Sequence, residues 1–214
     1  SVGIYKKLGS GTITTSGGNW SVGNSGYGIY VQQAIVTVDA AGKEISTTMT
    51  SNSATINNSA DMILGTSSVG IFSNGANTVN NSGNITVGET YVEGGPSNHS
   101  DPTKHLNSVG IYGAGGTKIF NAAGATIKVH EDHSVGVYVD GSNIITGDKT
   151  RFENHGIIDV DNGGVGVIVR NGAIAVNNGV ITLGGNASPI CGAVNVGMSA
   201  SGPGSTIENN GTIT

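Results

Sequence analysis

Two short motifs alternate along the chain, and this repetition constrains the fold more than any other feature of the sequence. The first motif is a strand of the form Gly-aliphatic-aromatic. Its copies read SVGIY at 1–5, GYGIY at 26–30, SVGIF at 68–72, SVGIY at 108–112, SVGVY at 134–138 and GVGVI at 164–168. Successive copies start 25, 42, 40, 26 and 30 residues apart, which indicates a unit in the mid-twenties with insertions in two units.

The second motif is Asn-x-Gly followed by alternating aliphatic residues. It reads NSGNITV at 81–87, NHGIIDV at 154–160, NNGVITL at 177–183 and NNGTIT at 209–214, with looser copies at 9–14, 58–64 and 121–129. Asn, Gly and Asp bound these short apolar runs, and such residues punctuate strands rather than helices.

The composition supports an all-β chain. The 214 residues include 22 Val and 22 Ile but only 4 Leu, and β-branched residues favour strands over helices. This excludes helical bundles and coiled coils. Nine Lys+Arg against 14 Asp+Glu leave no basic footprint for nucleic acid, and no apolar run is long enough for a membrane-spanning helix.

A unit of three short strands cannot bury its apolar face alone, but it can when it is stacked on copies of itself. We therefore predict a parallel β-helix of about seven coils over residues 1–214, formed as a single segment. In the fifth unit the predicted strands are Val135–Val139, Thr150–Asn154 and Ile157–Asp161. A hairpin sandwich is the alternative for an all-β chain, although the spacing of single motif copies does not favour it.

Period-two alternation assigns the faces of the strands. In the fifth unit it places Val135, Val137 and Val139 inside, with Gly136 and Tyr138 on the outer face. Equivalent aromatic residues then form a column of Tyr5, Tyr30, Phe72, Tyr112 and Tyr138. We interpret this column as a packing ladder. A stripe on which sugars stack is the alternative, and an inverted arrangement would place the rings inside.

A second column consists of asparagines at one corner of the coil. Its predicted members are Asn58, Asn81, Asn154, Asn177 and Asn209. Stacked amides can hydrogen-bond from coil to coil, so we predict a structural role. The glycines that follow are Gly83, Gly156, Gly179 and Gly211, and we expect them to adopt a bend with positive φ.

Residues that would indicate an enzyme or a metal centre are sparse. Aligning the repeats places Lys128 against Asp159 and His130 against Asp161, as surface pairs. In the following coil the positions aligned with Asp159 and Asp161 are occupied by Thr182 and Gly184, so no cluster of acids forms. We predict no catalytic residues, no metal and no cofactor, and the single Cys191 allows no internal disulfide.

The insertion at 88–107 is the candidate binding region, because loops on a rigid scaffold often carry binding residues. The residues assigned to it are Tyr91, His99, Asp101, Lys104 and His105.

The alternation of SVGIY-type strands with NNGxIxV-type strands resembles the passenger domains of type V secreted autotransporters. It is most similar to large fusobacterial outer-membrane adhesins, and the resemblance covers essentially the whole chain. It implies a right-handed parallel β-helix on the cell surface, anchored in the outer membrane through a C-terminal barrel that is absent from this sequence. It also implies adhesion to glycans or proteins of host cells or other bacteria.

On this basis we expect a non-enzymatic, rigid stalk segment of a surface adhesin, cut from a longer passenger. A polysaccharide-active β-helix enzyme is the alternative, as is a receptor site on the 88–107 loop. Strands at both ends of such a piece would lack partners, so we also expect end-to-end self-association.

Overall fold

The computed structural model describes residues 1–88, 108–130, 133–142, 144, 147–184 and 194–214, and its architecture is a parallel β-helix of seven coils. The described residues form 23 strands and no helix. Each of the three seven-stranded sheets contains one strand from every coil, and all the strand pairs within these sheets are parallel, as the repeats predict. The coil is right-handed, as the family resemblance implies.

Sheet 1 carries the Gly-aliphatic-aromatic motif. Its strands are β1 (Val2–Lys7), β4 (Tyr27–Gln32), β9 (Val69–Asn74), β12 (Val109–Ala114), β15 (Val135–Asp140), β18 (Val165–Arg170) and β21 (Val196–Ser201). Sheet 2 consists of β2 (Gly11–Thr15), β7 (Ala54–Asn58), β10 (Thr78–Asn81), β13 (Lys118–Asn121), β16 (Arg151–Asn154), β19 (Ile174–Asn177) and β22 (Thr206–Asn209).

Sheet 3 completes each coil. Its strands are β3 (Asn19–Val22), β8 (Asp61–Leu64), β11 (Ile85–Val87), β14 (Thr126–Val129), β17 (Ile157–Val160), β20 (Val180–Leu183) and β23 (Thr212–Ile213). A separate antiparallel hairpin joins β5 (Ala34–Val38) to β6 (Glu44–Met49). The three strands predicted for the fifth unit correspond to β15, β16 and β17, each within one residue at either end.

The core is a continuous column of β-branched side chains, because each inward residue pairs with its equivalent in the next coil. In sheet 1, for example, Ile29, Ile71 and Ile111 are partners in register and are fully buried. Nine of the twelve largest fully buried side chains in the described part of the chain are isoleucines. The excess of Val and Ile over Leu therefore reflects the pleated interior that these residues fill.

The glycine of the first motif faces inward, so its predicted place on the outer face is wrong. A Cβ built on Gly136 would lie 2.6 Å from the carbonyl oxygen of Gly166 and 3.1 Å from Cγ2 of the buried Val129. The chain turns a corner here, and regular alternation begins only at Val137. Val137 and Val139 point into the core and Tyr138 points outward, as predicted.

This close approach recurs along the whole of sheet 1. In each case an added Cβ would lie 2.5–2.7 Å from the carbonyl oxygen of the next glycine in the column, as found at Gly3, Gly28, Gly70, Gly110 and Gly166. Glycine is therefore required by contact between neighbouring backbones rather than by a left-handed φ.

The glycines after the asparagine column have a similar explanation, and the predicted positive φ is wrong. None of Gly83, Gly156, Gly179 and Gly211 has a left-handed φ. A Cβ at Gly83 would overlap the carbonyl oxygen of Ala60, and one at Gly179 would overlap that of Gly156. At these four glycines the corners of successive coils stack too tightly for a side chain, whereas the equivalent position after Asn58 holds the buried Ala60.

The asparagine column is a continuous hydrogen-bonded ladder. Each Nδ2 donates to Oδ1 of the asparagine in the next coil, over 2.7–2.9 Å, from Asn58 through Asn81, Asn121, Asn154 and Asn177 to Asn209. Thr15 begins the ladder by donating its hydroxyl to Asn58 Oδ1. All the asparagines before Asn209 are 0–1% exposed. The predicted column is confirmed, with Asn121 as a member that the sequence analysis did not include.

Each ladder amide also donates a hydrogen bond to a backbone carbonyl at its own corner. Nδ2 of Asn81 donates to the carbonyl of Gly83, and Nδ2 of Asn58 donates to that of Ala60. Buried polar groups are costly unless they are paired, and here both amide hydrogens and the oxygen have partners. The ladder therefore stabilises the corner and joins consecutive coils.

A ladder of serines marks the corner between sheets 3 and 1. Ser68, Ser108 and Ser134, the first residues of three SVG motifs, are fully buried. The backbone N–H of Ser68 donates to Ser108 Oγ, and that of Ser108 donates to Ser134 Oγ, both over 3.3 Å. These serines are therefore part of the coil-to-coil bonding.

Between the strands that the structure describes, the long connections fall at the two corners that flank sheet 1. They comprise residues 33–53 and 141–150 after sheet 1, and 88–108 and 184–195 before it. At the asparagine corner every connection has two to four residues. Connections at the asparagine corner thus differ by at most two residues in length, and the long segments lie at the other two corners.

We expect Gly136→Ala to lower the free energy of unfolding by about 1–3 kcal/mol, because the new methyl group must displace backbone. Gly23→Ala is the matched control, since nothing lies within 4 Å of a Cβ there and its φ is not left-handed. Urea unfolding followed by circular dichroism measures both variants. Equal midpoints would contradict the steric role of Gly136.

The ladder predicts that Asn81→Ala destabilises by about 3 kcal/mol, because it leaves a donor on Asn58 and an acceptor on Asn121 buried without partners. The adjacent Asn80 is exposed and bonds only to Asn57, so Asn80→Ala should change stability by about 0.5 kcal/mol or less. The same urea titration compares the two. Similar losses would show that the ladder adds nothing beyond a surface amide pair.

Candidate functional site

The five residues predicted to bind a ligand on the 88–107 loop lie outside the described residues. They are Tyr91, His99, Asp101, Lys104 and His105. The described ends of this connection are Gly88, just after β11, and Ser108, just before β12. It therefore departs from a corner beside sheet 1, whose outer face carries the aromatic column.

The aromatic residues predicted to form a column do so on the outer face of sheet 1. We call Tyr5, Tyr30, Phe72, Tyr112 and Tyr138 the aromatic stripe; Tyr5 is exposed and the other four are half-buried. Consecutive members pair in register, so their side chains leave the same position of successive coils. The inverted arrangement, with rings in the core, is wrong because those inward positions hold aliphatic residues.

Stacking within the stripe is close and nearly parallel. The ring centroids of Tyr30 and Phe72 lie 4.5 Å apart with planes 8° from parallel, and those of Phe72 and Tyr112 lie 5.0 Å apart at 2°. Tyr112 and Tyr138 follow at 5.4 Å and 20°, whereas Tyr5 is tilted by 34° over Tyr30. The inner rings therefore cover one another's faces.

This geometry favours the packing ladder over the sugar-stacking stripe. A sugar that stacks needs an open ring face, but the faces of Phe72 and Tyr112 are occupied by their neighbours. What the stripe presents outward is ring edges and tyrosine hydroxyls. Aromatic pairs contribute about 0.5–1.5 kcal/mol each beyond area burial, so the stripe stabilises the rod.

Tyr27 extends the stripe sideways and is not among the aromatic residues predicted from the motif. It occupies the position filled by Val in the other copies of the motif, and its ring meets Tyr30 edge-on at 5.1 Å and Phe72 at 6.0 Å. The tyrosine of GYGIY was the available signal, but strict alternation would place Tyr27 and Tyr30, three positions apart, on opposite faces of the strand.

The environment of the stripe raises the pKa of its tyrosines. Burial is the main cause at Tyr112, with Asp140 and Tyr138 adding to it, and together they raise the pKa of Tyr112 to about 12. Burial also raises the pKa of Tyr30 and of Tyr138, although Arg170 opposes the increase at Tyr138. The neutral phenols are therefore the stable form of the folded stripe.

The charged pairs predicted on sheet 3 are only partly as expected. The register places Lys128 opposite Asp159, as predicted. His130, however, contacts Asp159, with Nε2 to Oδ2 at 3.5 Å, rather than Asp161. Asp161 lies beyond the end of β17, where its Oδ1 accepts the backbone N–H of Asn162. The turn rather than the strand thus decides which acid His130 meets.

Sheet 2 carries a charged cluster that the sequence analysis missed. Arg151 Nε donates to Glu153 Oε1 at 2.6 Å, and His155 Nε2 lies 3.5 Å from Glu153 Oε2. The hydrogen bond from Arg151 is the main reason that the pKa of Glu153 is lowered. The available signal was the alternation R-x-E-x-H, which places all three side chains on one face of a strand. These half-exposed pairs are typical of a surface network.

Within the described part of the chain no three His, Cys, Asp or Glu side chains converge on one point that could hold a metal ion. Asp159 has Lys128 on one side and Thr182 on the other in register, so no second acid is aligned with it.

The chain matches no protein-family model, no curated protein and no solved structure. In the described residues no helix has the length and apolar character needed to cross a membrane.

The raised pKa of Tyr112 predicts a loss of stability at alkaline pH. In the unfolded chain this phenol ionises near its ordinary pKa of 10.0, whereas in the folded chain it ionises near 12. Its contribution is therefore complete below pH 10 and falls as the pH rises through 12. Absorbance titration at the tyrosinate band should show a late-ionising group that Tyr112→Phe removes. An unchanged titration curve would contradict this assignment.

Proposed function

We propose that this chain is a rigid β-helical stalk segment of a surface-displayed adhesin, which holds binding segments away from the cell that bears it. The observation that carries the proposal is the unbroken stacking of three parallel sheets through seven coils. Backbone ladders, the asparagine ladder and the aromatic stripe all run along the same axis, so bending the rod would strain every one of them.

The resemblance of the repeats to type V autotransporter passengers supports the cellular setting. It implies display outside a Gram-negative cell with anchoring in the outer membrane, and contact with glycans or proteins of host cells or other bacteria. We place that contact on the 88–107 connection, which leaves the rod beside sheet 1.

The first test is limited digestion with a protease of broad specificity. Within the five inner coils we expect cleavage to be confined to the connections 33–53, 88–108, 141–150 and 184–195, because the strands of these coils are bonded on both sides. Cleavage within the strands of the inner coils would contradict the rod.

The second test concerns contact with cells. Beads coated with the chain should bind epithelial cells or partner bacteria, and replacing residues 88–107 with the short corner of residues 23–25 should lower binding several-fold without changing the melting temperature. The matched control replaces 184–194 in the same way. Equal binding by all three proteins would remove the 88–107 segment from the proposed function.

A test for a reaction product distinguishes the enzymatic alternative from the stalk proposal. Release of reducing ends from an acidic polysaccharide, abolished by Asp159→Ala, would replace the stalk proposal with a polysaccharide-active enzyme.

A further inference from the structure

A shallow polar groove lies on the outer face of sheet 3, away from the aromatic stripe. Its volume is about 320 Å³, and it crosses β3, β8, β11 and β14. The groove forms because Thr86 is shorter than its register neighbours Ile63 and Lys128, which stand on either side of it. A volume of this size is at the lower end of the range for small-molecule sites.

One end of the groove is acidic and amide-rich. Asp61 Oδ1 accepts the backbone N–H of Asn84, and Asn84 Oδ1 accepts that of Thr126. These bonds hold both side chains in place. Asp61 Oδ2 and Asn84 Nδ2 make no hydrogen bond with any described residue, so an acceptor and a donor remain for a ligand.

The other end is cationic. Lys128 is exposed and lines the groove, and although the register places it opposite Asp159, it forms no ion pair with any described residue. Asp159 is instead contacted by His130. The ammonium group of Lys128 therefore remains available to an anion at this end.

Between the two ends the groove offers an apolar wall and hydroxyl groups. Ile63 is half-buried and faces outward, which gives a surface for the C–H face of a sugar ring. The hydroxyls of Thr86 and Thr126 have no described partner. On backbone spacing alone, Asp61 and Lys128 are roughly 12 Å apart, a distance suited to a short saccharide rather than a single small anion.

We propose that this groove binds a short acidic saccharide. The carboxylate of a uronate-type sugar pairs with Lys128, its hydroxyls bond to Thr86 and Asn84, and a hydroxyl at the far end donates to Asp61. Asp61 repels a carboxylate, so the ligand is held in one orientation. The inference goes beyond the stalk role, because it places a binding site on the rod itself, and it does not depend on that role.

The test is an NMR titration of the isotopically labelled chain with sodium glucuronate. Backbone amide signals of Thr86 and Thr126 should shift and saturate in the millimolar range. Glucose should bind more weakly for lack of a carboxylate, and sodium acetate for lack of hydroxyls. Equal shifts with glucose or acetate, or no saturable shift with glucuronate, would overturn the proposal.

Variants assign the effect to the groove. Lys128→Gln should weaken glucuronate binding about tenfold, because a charge-assisted bond is lost. Thr86→Val keeps the shape of the groove and should weaken binding several-fold. Lys118→Gln is the matched control, since Lys118 lies in the same coil on sheet 2 and contacts Asp148 at 3.2 Å. Unchanged binding by Lys128→Gln in a normally melting protein would refute the site, whereas the protease and bead experiments would be unaffected.

Discussion

In-register parallel hydrogen bonding between successive coils is the constraint on which the rest of the structure depends. Because each residue pairs with its equivalent in the next coil, like stacks on like: isoleucine on isoleucine, asparagine on asparagine, glycine on glycine and ring on ring. A slip of one residue would move every inward side chain to solvent. Each stacked position must therefore hold a residue that packs against its equivalent in the next coil, and this requirement explains why the sequence repeats.

The asparagine ladder shows how one interaction shapes both packing and variation. Every side-chain amide in it donates toward the C-terminal end and accepts from the N-terminal end, so the amide dipoles add along the axis and strengthen one another. A long insertion at this corner would separate neighbouring amides and leave buried groups unpaired, although the four-residue corner after Asn121 keeps its ladder bond. The fold therefore directs its long connections to the corners beside sheet 1, where no buried amide ladder runs.

Residues on the outer faces of the sheets need not match their equivalents in the next coil, and the three outer faces therefore differ in their side chains. Sheet 1 presents ring edges, sheet 2 a network around Glu153, and sheet 3 a groove between Asp61 and Lys128. The interior is nearly the same in each coil, whereas surface residues change from coil to coil. Specific recognition on such a rod must come from these non-repeating residues or from the connections. The stalk proposal assigns recognition to a connection, and the groove proposal assigns it to non-repeating residues of sheet 3.

Local sequence determined the strands, the number of coils and most of the asparagine column, because alternation and corner residues report directly on which positions face inward. Only the tertiary structure decided which contacts the neighbouring coil imposes. Gly136 faces a backbone that lies 30 residues away in the chain, Asn121 joins the ladder although its corner is longer, and His130 meets Asp159 because of the turn between strands. The groove likewise exists only where four strands assemble. Such features depend on the distance and angle between coils, which period and residue type do not encode.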